Sequence, residues 1–299
     1  MALTPHRPFG AVLTAMCTPF TADGQAVDTD AAQRLAVHLA DHGHAGIVVN
    51  GTTGESPTTT DAEKEAVLRA VLEAVGERVT VVAGAGTNST AHSIELARQA
   101  EKAGAHGLLV VTPYYNKPPQ EGIYRHFTAV ADATGLPVML YDIPGRSGVP
   151  ITTDTLLRLA EHERIVAVKD AKDDLLASSV VMASTDLAYY SGTDALNLAH
   201  LTQGAAGVVS VVGHVAGEHY AAMVEAVEIG DLEAALAVHR ALLPVNDAIM
   251  NRTQGAIMVK AALELAGVLT NRTVRLPLVE ATDDQVAQLR GDLEKAGVL

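Results

Sequence analysis

Residues 165–169 read Ile165-Val166-Ala167-Val168-Lys169, and the reading of this run decides the fold. It is too short for a buried helix, and its unbroken apolar character suits a strand covered on both faces. Seven similar runs lie outward from it, at residues 12–18, 46–50, 79–83, 107–112, 137–141, 188–191 and 207–211. Between them, residues 30–42, 61–75, 90–103 and 121–133 carry helical spacing. Several of these segments follow a capping residue (Asp28, Thr60, Ser89, Thr153), and several run into glycine (Gly43, Gly76, Gly104, Gly135).

Strict alternation of eight strands with helices, and no hairpin-length loops, implies parallel strands. A closed (β/α)₈ TIM barrel uses all eight without leaving an edge, and a doubly wound open sheet is the alternative. After about residue 230 the strands stop. Residues 231–244, 248–267 and 283–296 read as helices, so the expected division is a barrel over 1–230 and a C-terminal helical extension over 231–299.

Composition excludes several classes of function. The net charge of −14 repels phosphate backbones and anionic lipid, which argues against nucleic acid and membranes as partners. No apolar stretch approaches the ~20 residues of a membrane span. The single cysteine, Cys17, permits no intrachain disulfide, and the first ten residues show no signal-peptide pattern; both suit a cytoplasmic enzyme.

Barrel chemistry collects where strands end. The second strand runs into Gly51-Thr52-Thr53-Gly54-Glu55-Ser56, whose glycines, hydroxyls and free N–H groups could hold a carboxylate or could form a plain turn. The fourth ends at Thr112-Pro113-Tyr114-Tyr115-Asn116, a paired phenol that would equally serve as aromatic capping of the barrel mouth. Tyr141 closes the fifth, with Arg146 one turn on; a phenol beside a carboxylate-binding guanidinium could move a proton, or both could be rim residues. Lys169 closes the sixth. Burial at the end of a dry strand would lower its pKa toward a free amine able to form an imine with a ketone, whereas a lysine that snorkels outward would do nothing.

Other patterns fail. Gly84-Ala85-Gly86 lacks the third glycine of a dinucleotide fingerprint, and there is neither a P-loop nor a His-Glu-x-x-His helix, so no metal or other cofactor is expected. Cys17 reads as core. Lys260 stands in helical context and reads as lying along a helix flank.

Taken together, Gly51–Ser56, the Thr112–Pro118 segment, Tyr141-Asp142-Ile143-Pro144-Gly145-Arg146, Val168-Lys169-Asp170, Ser191-Gly192 and Gly207-Val208-Val209-Ser210-Val211 resemble the dihydrodipicolinate synthase/N-acetylneuraminate lyase family, most closely its synthase branch. The resemblance runs from about Gly10 to the C-terminal helices. It implies a Schiff-base lyase in which Lys169 forms an imine with pyruvate and the Thr52–Thr53 turn holds the pyruvate carboxylate. Tyr141 would then exchange protons through Thr53 with Tyr115, the last supplied by a neighbouring subunit of a homotetramer. Gly192 and the Val209 backbone would line the pyruvate pocket.

By the same likeness, Arg146 would bind the carboxylate of L-aspartate 4-semialdehyde, placing the reaction in lysine and diaminopimelate synthesis. Asn88 and Tyr114 fit the family's lysine-feedback pocket, but Asp61, Lys64 and His92 stand where histidines and a glutamate are usual, so feedback is expected to be weak or absent. Two other readings remain: a sister aldolase acting on a keto-deoxy sugar acid, N-acetylneuraminate or hydroxy-oxoglutarate, and a non-catalytic keto-acid sensor.

Overall fold

Each apolar run becomes a strand because both of its faces find a cover. In the computed structural model, residues 5–299 are described. The strands are β1 (Val12–Ala15), β2 (Gly46–Val49), β3 (Thr80–Gly84), β4 (Gly107–Val111), β5 (Val138–Asp142), β6 (Ile165–Asp170), β7 (Ala188–Ser191) and β8 (Gly207–Ser210). All pair in parallel with their sequence neighbours, and the sheet closes. Thr14 of β1 pairs with Ile47 on one side and with Ser210 on the other, which excludes the open sheet.

The helices of the barrel are α1 (Thr29–Asp41), α2 (Asp61–Val75), α3 (Thr90–Ala103), α4 (Gln120–Asp132), the short α5 (Pro144–Ser147), α6 (Thr153–Leu159), α7 (Leu175–Ser184), α8 (Asn197–Thr202) and α9 (Gly213–Glu228). Asp28, Thr60 and Ser89 cap the first three as expected, Thr60 through a full capping box with Glu63. At α6 the cap is Thr152 rather than Thr153, because it is the Thr152 hydroxyl that accepts from Thr155 N.

The period of two along each strand sorts the core. Ile47, Val81, Leu108, Leu140, Val168 and Val208 face outward under the helices. Leu13, Val48, Val82, Leu109, Met139, Ala167 and Val209 face inward and fill the barrel. Phe9 closes the N-terminal end, where the Tyr190 hydroxyl donates to Gly10 O at 3.0 Å. The interior therefore opens only toward the strand C-termini.

The extension comprises α10 (Leu232–Met250), α11 (Gly255–Leu265) and α12 (Asp283–Ala296). Pro244 lies inside α10 instead of ending it, and the helix continues for six residues to Met250. The break falls at residues 251–254, so α11 starts at Gly255 rather than near residue 248. Among the described residues, no helix is long and apolar enough to cross a membrane.

Candidate active site

Lys169 points the same way as Ala167, into the barrel, and its side chain is 3 % exposed. Burial drives its pKa down from the ordinary 10.5 to about 8; the Asp194 carboxylate opposes the shift and the Arg146 guanidinium adds to it. Gly192 leaves the room this requires. A Cβ there would lie 3.0 Å from Lys169 Cγ and 2.9 Å from Asp170 O, so any larger residue would displace the lysine.

Tyr141 is the register partner of Lys169 on the adjacent strand, and Lys169 Nζ lies 4.3 Å from the centre of its ring. Burial raises the phenol pKa to about 12, against the smaller opposing effects of Arg146 and of the Thr52 hydroxyl beside it. The hydroxyl beside Tyr141 is thus that of Thr52, and Thr53 lines the cavity together with Lys169. The Gly51–Glu55 turn is closed by Glu55 N donating to Thr52 O at 3.1 Å.

The cavity above these residues has two adjoining lobes. One, about 450 Å³, is lined by Thr53, Lys169, Gly192 and Val211. The other, about 500 Å³, is lined by Asn50, Tyr114, Tyr115 and Ser147. Thr52, Tyr141, Ile143 and Arg146 line both. Arg146 is carried there on α5, exposed at the mouth.

Val209 does not line the cavity. It is fully buried in the inner apolar layer opposite Leu13, one layer too deep. Val211, just past the end of β8, takes that place. Its N–H donates to Asp194 Oδ2 at 2.9 Å, and Val212 N donates to the same oxygen at 3.2 Å. Asp194 thus both fastens the end of the eighth strand and supplies a negative charge that acts on the amine.

Tyr115 stands apart. It is 89 % exposed with a left-handed backbone (φ 73°), at the rim of the outer lobe. Asn88 accepts from Asn116 Nδ2 through its carbonyl at 2.9 Å, and the half-buried Tyr114 has its phenol pKa raised by burial. His92 Nε2 meets Asp61 Oδ2 at 2.9 Å, and the buried Lys64 ammonium donates to Thr59 O at 2.5 Å. Burial lowers the Lys64 pKa.

Two buried ion pairs escaped sequence reasoning. Lys172 Nζ lies 3.5 Å from Asp142 Oδ2, and burial raises the Asp142 carboxyl to about 7. Lys260, expected on a helix flank, is 1 % exposed and bonds Glu55 Oε1 at 2.6 Å. The apolar neighbours of Lys260 hinted at burial, but its partner lies 205 residues away. Cys17 is fully buried, and desolvation pushes its thiol up to about 12, which leaves it inert. Among the described residues, no three His, Cys, Asp or Glu side chains converge as metal ligands would.

A lysine amine, a phenol and an exposed arginine around one cavity at the strand ends is an arrangement for carbonyl chemistry on an anionic substrate. The comparisons with known proteins agree. A model of the dihydrodipicolinate synthetase family matches residues 8–296. The chain belongs to this family. It is 68 % identical over 297 residues to the 4-hydroxy-tetrahydrodipicolinate synthase of Kineococcus radiotolerans, covering 99 % of this chain and 96 % of that one. It is 66 % identical to that of Acidothermus cellulolyticus, covering 97 % and 93 %. Among solved structures, the DHDPS of Cyanidioschyzon merolae with lysine bound superposes with a TM-score of 0.95 at 43 % identity, covering 98 % of this chain and all of that one.

Proposed function

We propose that this site carries out the 4-hydroxy-tetrahydrodipicolinate synthase reaction, condensing pyruvate with L-aspartate 4-semialdehyde. The observation that carries the reading is the buried Lys169 amine, brought to about pKa 8 beside Tyr141 in a cavity that Arg146 enters. The relatives' printed names support it.

Chemistry follows from the groups present. The Lys169 amine adds to the pyruvate ketone and water leaves, giving an imine. The imine acidifies the pyruvate methyl, and loss of a proton gives an enamine. Its carbon attacks the aldehyde, and the new alkoxide takes a proton from Tyr141, whose high pKa keeps the phenol protonated at neutral pH. The amino group of the semialdehyde then displaces Lys169 from the imine and closes the ring. No metal or other cofactor has a part in these steps.

The Thr52–Thr53 turn holds the pyruvate carboxylate with hydroxyls and backbone N–H groups, and Gly192 makes room at the amine. Arg146 binds the carboxylate of the second substrate as a planar fork. Tyr115, exposed at the rim, completes the proton path of a neighbouring subunit in a homotetramer, with Thr52 as the intervening hydroxyl. Lysine and diaminopimelate synthesis in the cytoplasm is the setting, and residues 231–299 form an extension whose Met250, Gln254 and Ala256 wall the cavity.

Turnover on competing substrates tests the reading. Pyruvate and aspartate semialdehyde should be consumed together with formation of 4-hydroxy-tetrahydrodipicolinate. Faster cleavage of keto-deoxy sugar acids or N-acetylneuraminate would instead favour a sister aldolase.

A further inference from the structure

Glu55 sits in a conformation that its residue type disfavours. Its backbone is left-handed (φ 54°, ψ 38°), and its side chain is 1 % exposed. Such a conformation persists only where its surroundings over-determine it. Here the carboxylate is fastened at both oxygens. Lys260 Nζ of α11 donates to Oε1 at 2.6 Å, and Arg275 N donates to Oε2 at 2.9 Å. Lys260 also donates to Thr273 O at 2.7 Å and lies 4.1 Å from the centre of the Phe20 ring.

Arg275 extends the clasp. Its guanidinium holds both carboxylate oxygens of Glu63 and the carbonyl of Thr58, just beyond the same turn. Every one of these anchors comes from the C-terminal extension, yet what they fix is the turn that presents Thr52 and Thr53 to the cavity. Within that turn, Glu55 N donates to Thr52 O, and Gly54 O accepts from Thr18 Oγ1 at 2.7 Å.

We infer that Glu55 and Lys260 are positioning residues, a buried ion pair through which the C-terminal extension holds the Thr52–Thr53 turn in its substrate-binding shape. The inference deepens the proposed function and rests on its pyruvate chemistry. A pair that only stabilised the fold would change the amount of active protein. A positioning pair changes the affinity of the turn for pyruvate. Removing one charge leaves the other stranded, whereas removing both leaves a neutral pair that packs.

The test uses the full-length chain and three variants: Lys260→Met, Glu55→Gln and the double variant. In the double variant, the thermal midpoint should recover toward wild type, while the KM for pyruvate stays raised about tenfold or more. The KM for the aldehyde should change less than about twofold. Wild-type KM for pyruvate in a folded double variant overturns the inference.

Hydrogen exchange of the wild-type protein gives a reading even where the variants do not fold. Saturation with pyruvate should protect both the peptide over residues 51–56 and that over residues 258–265, which does not line the cavity. Protection of the first without the second overturns the inference. Borohydride trapping of pyruvate by wild type runs alongside: if it fails, the function reading fails, and if it succeeds, the outcomes above bear on Glu55 and Lys260 alone.

Discussion

Lys169 Nζ lies 4.3 Å from the centre of the Tyr141 ring, and the two residues are register partners on neighbouring strands. The contact bears on which protonation states the site holds. An ammonium over an aromatic face gains up to ~2 kcal/mol when desolvated. Burial works the other way, and the fall from 10.5 to about 8 corresponds to about 3 kcal/mol against the ammonium. Desolvation wins. With Tyr141 at about 12, the pair at neutral pH holds an intact phenol beside a lysine that is free amine in about a tenth of molecules.

The first prediction is a pH profile. A lysine with a pKa of about 8 is free amine in about a tenth of molecules at pH 7, against well under a thousandth for an ordinary lysine. Lowering pH protonates it, so the rate of imine formation should fall about tenfold per unit below 8 and level off above. Stopped-flow measurement of pyruvate binding checks this. A profile still rising steeply toward 10 contradicts the burial argument.

Tyr141→Phe should leave imine formation intact and lower kcat by ~10²–10⁴, the usual worth of a positioned general acid. Single-turnover kinetics with and without the aldehyde separate the two steps. Equal loss in both would move Tyr141 from proton transfer to fold maintenance.

Gly192→Ala places a methyl 3.0 Å from Lys169 Cγ and 2.9 Å from Asp170 O. The lysine must shift, and misplacement of about an ångström costs ~10² in rate. Overpacking should also lower stability by about 1–3 kcal/mol, readable in urea unfolding. A variant with native kcat/KM would show that the lysine tolerates displacement.

Arg146→Ala should raise the KM for aspartate semialdehyde by ~10–10², as expected for lost charge-assisted hydrogen bonds, with pyruvate trapping unchanged. If the aldehyde KM holds and the pyruvate KM rises, Arg146 serves the other carboxylate.

Lysine feedback should be weak, with half-inhibition only above ~1 mM. His92 is bound to Asp61, and the Lys64 ammonium, buried against Thr59 O, carries the same charge as the α-ammonium of lysine, so neither gives that ammonium a partner. A lysine titration of initial rates checks this, and half-inhibition in the micromolar range contradicts it.

How much of this was legible in the sequence depended on how local the cause was. Strand runs such as residues 165–169 announce themselves because both faces need apolar neighbours, and Lys169 stood out as the charge that ends one. Lys260 did not, because helical spacing reports a face and not what that face meets; its partner Glu55 is distant in sequence. The helix expected over residues 231–244 runs on through Pro244 to Met250, since spacing does not show where a helix ends. Thr52 and Thr53 are adjacent identical residues, and only the folded turn shows which hydroxyl stands beside Tyr141. Val209 and Val211 are two residues apart, and spacing alone does not tell that β8 ends between them and that Val211 is the one that reaches the cavity.

Borohydride reduction in the presence of pyruvate, followed by digestion and mass analysis of the peptides, tests the central claim most directly. The account predicts a single carboxyethyl adduct on Lys169, formed only with pyruvate present and lost in Lys169→Arg. An adduct on Lys64, Lys172 or Lys260, or no adduct on any lysine, contradicts it.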